Sequence, residues 1–382
     1  MRIMNSAVAM KHFHPHNSCT NFDFDHIIVI PMKTFFLVLS MCTLISQHEL
    51  LYAQTTSSIT FSAFADLYYA FDVNQPRDFD RQFTTQPLRH NEFNLNFAYV
   101  SAQYASQNAR GRFALQTGTY VRSNYAAEPA DLRMIHEASV GVRLAEGVWL
   151  DMGIMPSHIG LESAVSKDNW NYSRSLIADY SPYYETGIKL TGALTENLTA
   201  SVMVLNGWQN IQETNSSKAL GTQVQWKPGS STLVNWSTFL GNEQPTSSPA
   251  QRRFFNNVFV QHQLSSSWDI AFGVDAGVQG NEAVGQAWWW GSAMLCRYTF
   301  ADRWKIGGRL EHYSDPHGII VPISSSIFRL SGASFNIDYS PSEQSLIRFE
   351  ARGFSAEDAI FIRRRTMSRY NGFFVLSCSV WM

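Results

Sequence analysis

The feature that most constrains this chain is a regular alternation of short and long connections between segments in which every second residue is apolar. In Ser58–Asp72 the apolar set Ile59, Phe61, Ala63, Ala65, Leu67, Tyr69 and Phe71 falls on alternate positions. That is the period of a strand, whose successive side chains point to opposite faces. The same alternation runs through Val148, Leu150, Met152 and Ile154, through Trp268, Ile270, Phe272, Val274, Ala276 and Val278, and through Trp304, Ile306, Gly308 and Leu310. Short connections of turn-forming residues lie at 105–109, 145–147, 194–197, 228–231, 265–267, 300–302 and 341–344. Longer ones lie at 73–91, 123–133, 156–182, 209–217, 242–253, 280–286, 315–330 and 355–368. Seven short and eight long connections separate sixteen strands. A soluble β-sandwich has no reason to alternate its loops, whereas a barrel in an outer membrane does: short turns inside, longer loops outside, and an even strand number. The segments, about ten to thirteen residues long, suit a tilted strand that needs ~9–11 to cross the hydrocarbon layer. The pattern predicts an all-β fold, a transmembrane antiparallel up-and-down β-barrel of about 16 strands, or of 14 if the weaker segments 218–227 and 331–340 are not strands.

Composition agrees with that reading. Charged residues make up 16% of the chain and aromatics 14%, against roughly 25% charged in a soluble domain. The net charge of −2, from 29 basic and 31 acidic residues, gives no field for nucleic acid. Aromatics gather near strand ends, at Tyr68, Tyr69 and Phe71, at Tyr183 and Tyr184, and at Trp288, Trp289 and Trp290, as interfacial girdles do. The final strand, Arg369 to Trp381, closes on an aromatic and so resembles the signal read by the barrel assembly machinery, although Met382 follows it.

The N-terminus reads as an export signal. From Met32 the chain has a basic residue at Lys33, an apolar run from Phe35 to Ile45, and Leu51 and Ala53 at positions suited to signal peptidase. Residues 32–53 are expected to be a signal peptide cleaved after Ala53, with Gln54 the next choice. Residues 1–31 are expected to be a non-native extension of the gene start, and 54–382 a single outer-membrane barrel. His12, His14 and His16 fall in the extension and lack the complete ligand set that a metal site needs. Leu39–Cys42 looks like a lipoprotein cleavage box, but Met41 is bulky and the apolar run continues past Cys42.

No cofactor, metal or catalytic residue is expected. Nucleophilic catalysis needs a Ser or Asp with an oriented His. The best cluster, His312-Tyr313-Ser314-Asp315, lies on a strand where adjacent residues point apart. An outer-membrane lipase or protease is therefore the rival reading; a structural or adhesive barrel, which would favour far longer or repeat-rich loops, is the third. Cys296 and Cys378, the two cysteines beyond the signal, are expected to be buried free thiols.

Several motifs occur in order: FADLYYAFD (64–72), NEFNLNFAYV (91–100), the stretch from Met152 to Leu190 with Ile159-Gly160-Leu161-Glu162 and Asn169-Trp170-Asn171-Tyr172-Ser173-Arg174-Ser175, and VLNGWQN (204–210). In these the sequence resembles the OmpL-like β-barrel porins. The resemblance implies an outer-membrane channel and names no solute.

Sixteen strands leave an aqueous lumen, because strand side chains alone cannot fill a barrel of that size. If the apolar parity faces lipid, the lumen receives Arg143, Asp151, Asp269, Asp275, Lys305, Arg309, Glu311, Asp338, Arg348, Glu350 and Arg352. Both signs are present, so the expectation is passive diffusion of small hydrophilic solutes without strong ion selectivity. Loop Pro156–Pro182 carries Glu162, Lys167, Asp168, Trp170, Tyr172 and Arg174 and either folds inward as a constriction or lies outside as a lid. In the first case Lys167 and Arg174 would set ion preference. The candidate pore-lining or constriction residues are Glu162, Lys167, Asp168, Arg174, Arg309, Glu311, Arg348, Glu350 and Arg352. A second basic cluster, Arg363, Arg364, Arg365 and Arg369, would attract anionic solutes or, the reading we favour, bind phosphates of lipopolysaccharide. Lipid-facing and partner-facing strands look alike, so a homo-oligomer stays open.

Overall fold

A computed structural model describes residues 57–323 and 327–382. The expected extension, signal peptide and their histidine and cysteine motifs lie outside the described residues. The barrel strands are β1 (Ser58–Asp72), β2 (Phe93–Ala105), β3 (Ala109–Thr117), β4 (Ile135–Ala145), β5 (Val148–Pro156), β6 (Tyr184–Ala193), β7 (Leu198–Leu205), β8 (Ala219–Gly229), β9 (Thr232–Asn242), β10 (Arg252–Gln263), β11 (Trp268–Asn281), β12 (Gly285–Ala301), β13 (Trp304–Asp315), β14 (Phe328–Ser342), β15 (Ser345–Ala356) and β18 (Tyr370–Trp381). Each pairs antiparallel with its chain neighbours, and β1 closes on β18 from Phe64↔Trp381 to Asp72↔Phe373. The two weaker segments are strands β8 and β14, which sets the fourteen-strand alternative aside. Closure leaves no open edge, which a backbone in lipid requires.

Two details depart from expectation. The connection expected to be longer at 280–286 is a three-residue turn between β11 and β12, and Gly285 closes it at φ 75°. Conversely, the last long loop contains its own hairpin, β16 (Phe361–Arg363) and β17 (Thr366–Ser368). Among the described residues helix is confined to the short α1 (Thr119–Asn124) and α2 (Leu176–Asp179) and a 3-10 turn at Ser166–Asp168.

The outward parity is apolar along the wall, with Phe61, Phe113, Val140, Val202, Phe272, Leu310 and Leu376 exposed. Trp268 stacks on Tyr298 at 4.6 Å and Trp304 meets Tyr339 at 4.5 Å near the short turns. Phe93, Trp288, Trp290 and Tyr370 are exposed toward the long loops. These are the two aromatic belts of a membrane barrel. Both cysteines are free, but neither is buried: Cys296 is half-buried and Cys378 exposed. Alternation decides this, since Cys296 sits opposite Ile270 and Cys378 opposite Leu67, on the lipid-facing parity.

The inward parity falls into two zones. Toward the short turns it is polar. Toward the long loops it is apolar, with Met203, Leu205, Phe239, Phe255, Trp289, Tyr313, Leu330, Phe354 and Phe373 buried in one cluster. Loop residues Ile159, Tyr172, Leu176, Ile177, Val321 and Ile360 complete that cluster. The barrel therefore contains a hydrophobic core in its extracellular half, where an aqueous lumen was expected. The strand side chains do not fill the space; the loops do.

Candidate functional site

The segment between β5 and β6 folds inward, which rejects the external lid. It leaves the wall at Pro156 and returns at Tyr184; its first residues bond to β6, β8, β9 and β10 through His158 and Gly160, and its middle reaches across to β13, β14, β15 and β1. In a closed ring of sixteen strands, β13 and β14 lie diametrically opposite β5 and β6. The loop therefore spans the lumen.

Polar groups fix it there. Arg309 on β13, fully buried, donates to Ser173 O (2.6 Å) and Ser173 Oγ (3.0 Å). Glu350 on β15 accepts from Ser173 N (2.8 Å) and Oγ (2.6 Å). Glu311 accepts from Leu176 N at 2.7 Å and from Arg352 Nε at 2.8 Å. Glu162, within the loop, accepts from Ser175 N (2.8 Å) and lies 3.5 Å from Arg309. Nearer the tip, Asn171 donates to Asn336 (2.7 Å) and Ser334 (3.1 Å) on β14. Asp66 on β1 accepts from Ser166 (2.8 Å) and Tyr172 (3.2 Å). Arg348, bound to Asp338 at 2.6 Å, donates to the carbonyls of Asn169 and Ser166. Apolar fit adds to this. Ile177 lies over Gly291 and Gly273, where a Cβ would come 2.8 and 3.0 Å from its side chain.

Seven of the nine candidate residues thus converge in one packed layer: Glu162, Arg174, Arg309, Glu311, Arg348, Glu350 and Arg352. They lie beneath and within the loop, not on an open water path. Arg174 is the clearest departure from the sequence reading. Its side chain is 0% exposed, and its guanidinium lies over Tyr183 (4.0 Å) and Tyr120 (4.6 Å) and 3.7 Å from Asp179. Lys167 and Asp168 sit together at the tip, paired at 2.6 Å, with Lys167 5.4 Å from the ring of Trp381 at the short-turn end.

Below the loop the wall is wet. One recess of about 310 Å³ is lined by Arg110, Arg112, Glu137, Asp151 and Lys189, and a second of about 390 Å³ by Trp170, Lys227, Gln261, Asp269 and Arg297. Arg110 binds Asp151 in a bidentate pair (2.7 and 2.6 Å), Arg112 meets Glu137 at 3.0 Å, and Arg297 meets Asp269 at 2.9 Å. In the first recess the cations lie outermost: Arg110 and Arg112 are 41% and 29% exposed, Asp151 and Glu137 only 9% and 10%. Sequence reasoning missed Arg110, Arg112, Glu137, Lys189, Lys227 and Arg297. The signal was the parity of the short strand β3, where Arg110, Arg112, Ala114 and Gln116 share a face.

Three titratable loop groups bias the inward position in the same direction. Burial pushes the carboxyl of Glu162 up, against the pull of Arg309 and beside the like charge of Glu311. Burial likewise raises Asp179, which faces Arg174, Arg352 and Arg309. Burial alone would lower His158, but Glu185, 2.8 Å from its Nδ1, holds it above its usual value, with Lys189 opposing. All three bind protons more tightly when the loop is in. Their contribution to the inward position is complete below the ordinary pKa of each group and is lost as pH rises through the raised one. Open probability should therefore increase between about pH 4 and pH 8 in planar bilayers; an open probability that falls across that range would contradict this assignment.

A closed barrel of sixteen strands, alternating turns and loops, aromatic belts and a loop folded across the lumen define a porin-type channel of the outer membrane. The sequence matches the family model of OmpL-like beta-barrel porin-2 over residues 58–380. This chain belongs to that family, and it is an outer-membrane porin. No curated protein matches the sequence significantly. Among solved structures, the fold is similar to the anion-selective porin from Comamonas acidovorans, with a TM-score of 0.59 at 8% identity over 86% of this chain and 100% of that one. It is also similar to the outer membrane channel DcaP of Acinetobacter baumannii (0.59, 9%, 85% and 97%). A third similar structure is OmpT of Vibrio cholerae in its trimer form (0.56, 7%, 86% and 100%). At these identities the likeness is one of fold.

Proposed function

We propose that this porin passes small hydrophilic anions in preference to cations, through a path that opens when the 156–182 loop leaves the lumen. One observation carries the ion preference. Among the described residues, and apart from the Arg348–Asp338 pair, which cancels, the inward-facing wall below the loop has seven cations, Arg110, Arg112, Arg143, Lys189, Lys227, Arg297 and Lys305, against three carboxylates, Glu137, Asp151 and Asp269. The two carboxylates of the first recess lie beneath their arginines, so its water-facing charge is positive. Charge lining a narrow, low-dielectric passage acts at close range on the permeating ion. The Arg309, Glu311 and Glu350 charges, being paired and dry, contribute little to that choice. In a planar bilayer under a potassium chloride gradient, the reversal potential should have the sign of chloride preference. A potential of the opposite sign would overturn the reading.

Selection by diffusion needs no catalysis. His312 bonds Ser331 Oγ (2.9 Å) on the lipid-facing parity, while Asp315 is buried inside and accepts from the backbone of residues 319–321. That separation supports a channel without the hydrolase activity of the rival reading. Insertion through the barrel assembly machinery is supported by β18, which ends the ring at Trp381. A homo-oligomer is supported by the trimer form of the Vibrio cholerae protein.

A further inference from the structure

We infer that the β16–β17 hairpin is a docking surface for the phosphoryl groups of lipopolysaccharide in the outer leaflet. The hairpin presents Arg363, Arg364 and Arg365 at its tip and Arg369 at its base, all exposed. Among the described residues none of the four enters an ion pair, and neither does exposed Arg77 on the adjoining β1–β2 loop. The nearby acids are largely engaged elsewhere. Asp80 pairs with Arg89 and Arg122, Glu92 with Arg89, and Glu357 with Arg329, while Asp358 accepts from Ile327 N. Exposed Asp78 is the remaining negative charge.

A run of arginines on a mobile loop would be a solvated face, but this hairpin is held rigidly. Phe361 is fully buried against Phe83 (5.5 Å) and Phe354 (6.0 Å). Ile362 N donates to Gln82, Arg364 N to Asn74 O (3.0 Å) and Arg364 Nε to Gln75 (3.0 Å). A pre-ordered cluster loses less entropy on binding.

Its height selects the partner. Tyr370, 66% exposed on the lipid-facing parity, belongs to the aromatic belt, which marks the boundary between hydrocarbon and headgroups. Arg369 is the next residue outward, and Arg363–Arg365 lie within roughly 23 Å of Tyr370, since seven residues at most separate them at about 3.3 Å each. Ile362 and Met367, 44% and 56% exposed on the same hairpin, add apolar surface beside the guanidiniums. Guanidinium forks with adjacent apolar surface match a phosphorylated sugar carrying acyl chains. A free anion drawn to the pore would use the charge and gain nothing from the apolar side chains.

The test uses the full mature protein refolded in detergent and titrated with diphosphoryl lipid A, dephosphorylated lipid A or inorganic phosphate. Diphosphoryl lipid A should bind the wild type and bind the R363Q/R364Q/R365Q/R369Q variant on the order of a hundredfold more weakly, because four arginines near an anionic surface are lost while salt screens part of their attraction. Equal binding by the variant, equal binding of the dephosphorylated lipid, or displacement of lipid A by millimolar inorganic phosphate would each overturn the proposal, the last in favour of a soluble anion. The variant should keep its heat-modifiable mobility and wild-type single-channel reversal potential, so a failure here is distinct from a failure of the channel reading.

Discussion

Replacing Arg309 with Met should open the channel. Arg309 is the cation shared by Glu162, Glu311 and Glu350 and the donor to both oxygens of Ser173. Without it those carboxylates face one another in a dry layer, with Arg352 left to compensate Glu311. Breaking a buried ion pair by removing one partner costs about 3–5 kcal/mol. The barrel wall does not depend on this residue's charge, because the β12–β13 and β13–β14 ladders are backbone bonds. Expelling the loop is the cheaper response, since it lets water reach the carboxylates. The cost corresponds to a shift of about a hundredfold or more toward the open state at ~1.4 kcal/mol per tenfold. Single-channel records should show long, high-conductance openings, with Arg309→Lys intermediate. A folded Arg309→Met barrel that conducts like the wild type would show that the loop is not held by this residue.

The second large effect concerns ion preference. Lys189 and Lys227 line the two recesses, Lys305 lies half-buried on the same inner wall in register with Asp338, and none of the three enters an ion pair among the described residues. Changing all three to Glu therefore orphans no carboxylate. It turns the excess of four positive charges on the inner wall into an excess of two negative ones. The reversal potential under a salt gradient should change sign. The complementary change, Arg174→Gln with Lys167→Gln, should leave the sign unaltered, because Arg174 is sealed between Tyr120 and Tyr183 and Lys167 is already neutralised by Asp168. Reversal by the second variant and not the first would place the selectivity filter in the loop.

These two experiments separate functions that the sequence ran together. Arg309, Glu311, Arg348, Glu350 and Arg352 were legible as inward-facing from parity alone, and the structure places them inward. Their exposure was not legible. Whether an inward charge meets water or a loop depends on a segment more than a hundred residues away in sequence, and periodicity carries no information on such contacts. A local signal did exist for the filled half. Near the long loops both parities become apolar, as in Trp288-Trp289-Trp290 and Phe373-Phe374-Val375-Leu376. One parity there faces lipid and the other faces a core.

Sequence by itself determined the class of protein: period two set strands, the alternation of turns and loops set a barrel with an even count, and the excess of apolar outward residues set a membrane around it. Each of these follows from short-range rules, namely the pleat, the turn and the demand that every backbone group in lipid be paired. Tertiary structure alone decided that Pro156–Tyr183 crosses the lumen, that Arg174 is buried between tyrosines, and that the water-facing charge is Arg110, Arg112 and Lys189 in place of Arg309 and Arg352. The reason is physical: burial is a property of what packs on a residue from across the barrel, and ring closure brings together strands eight positions apart that share no local pattern.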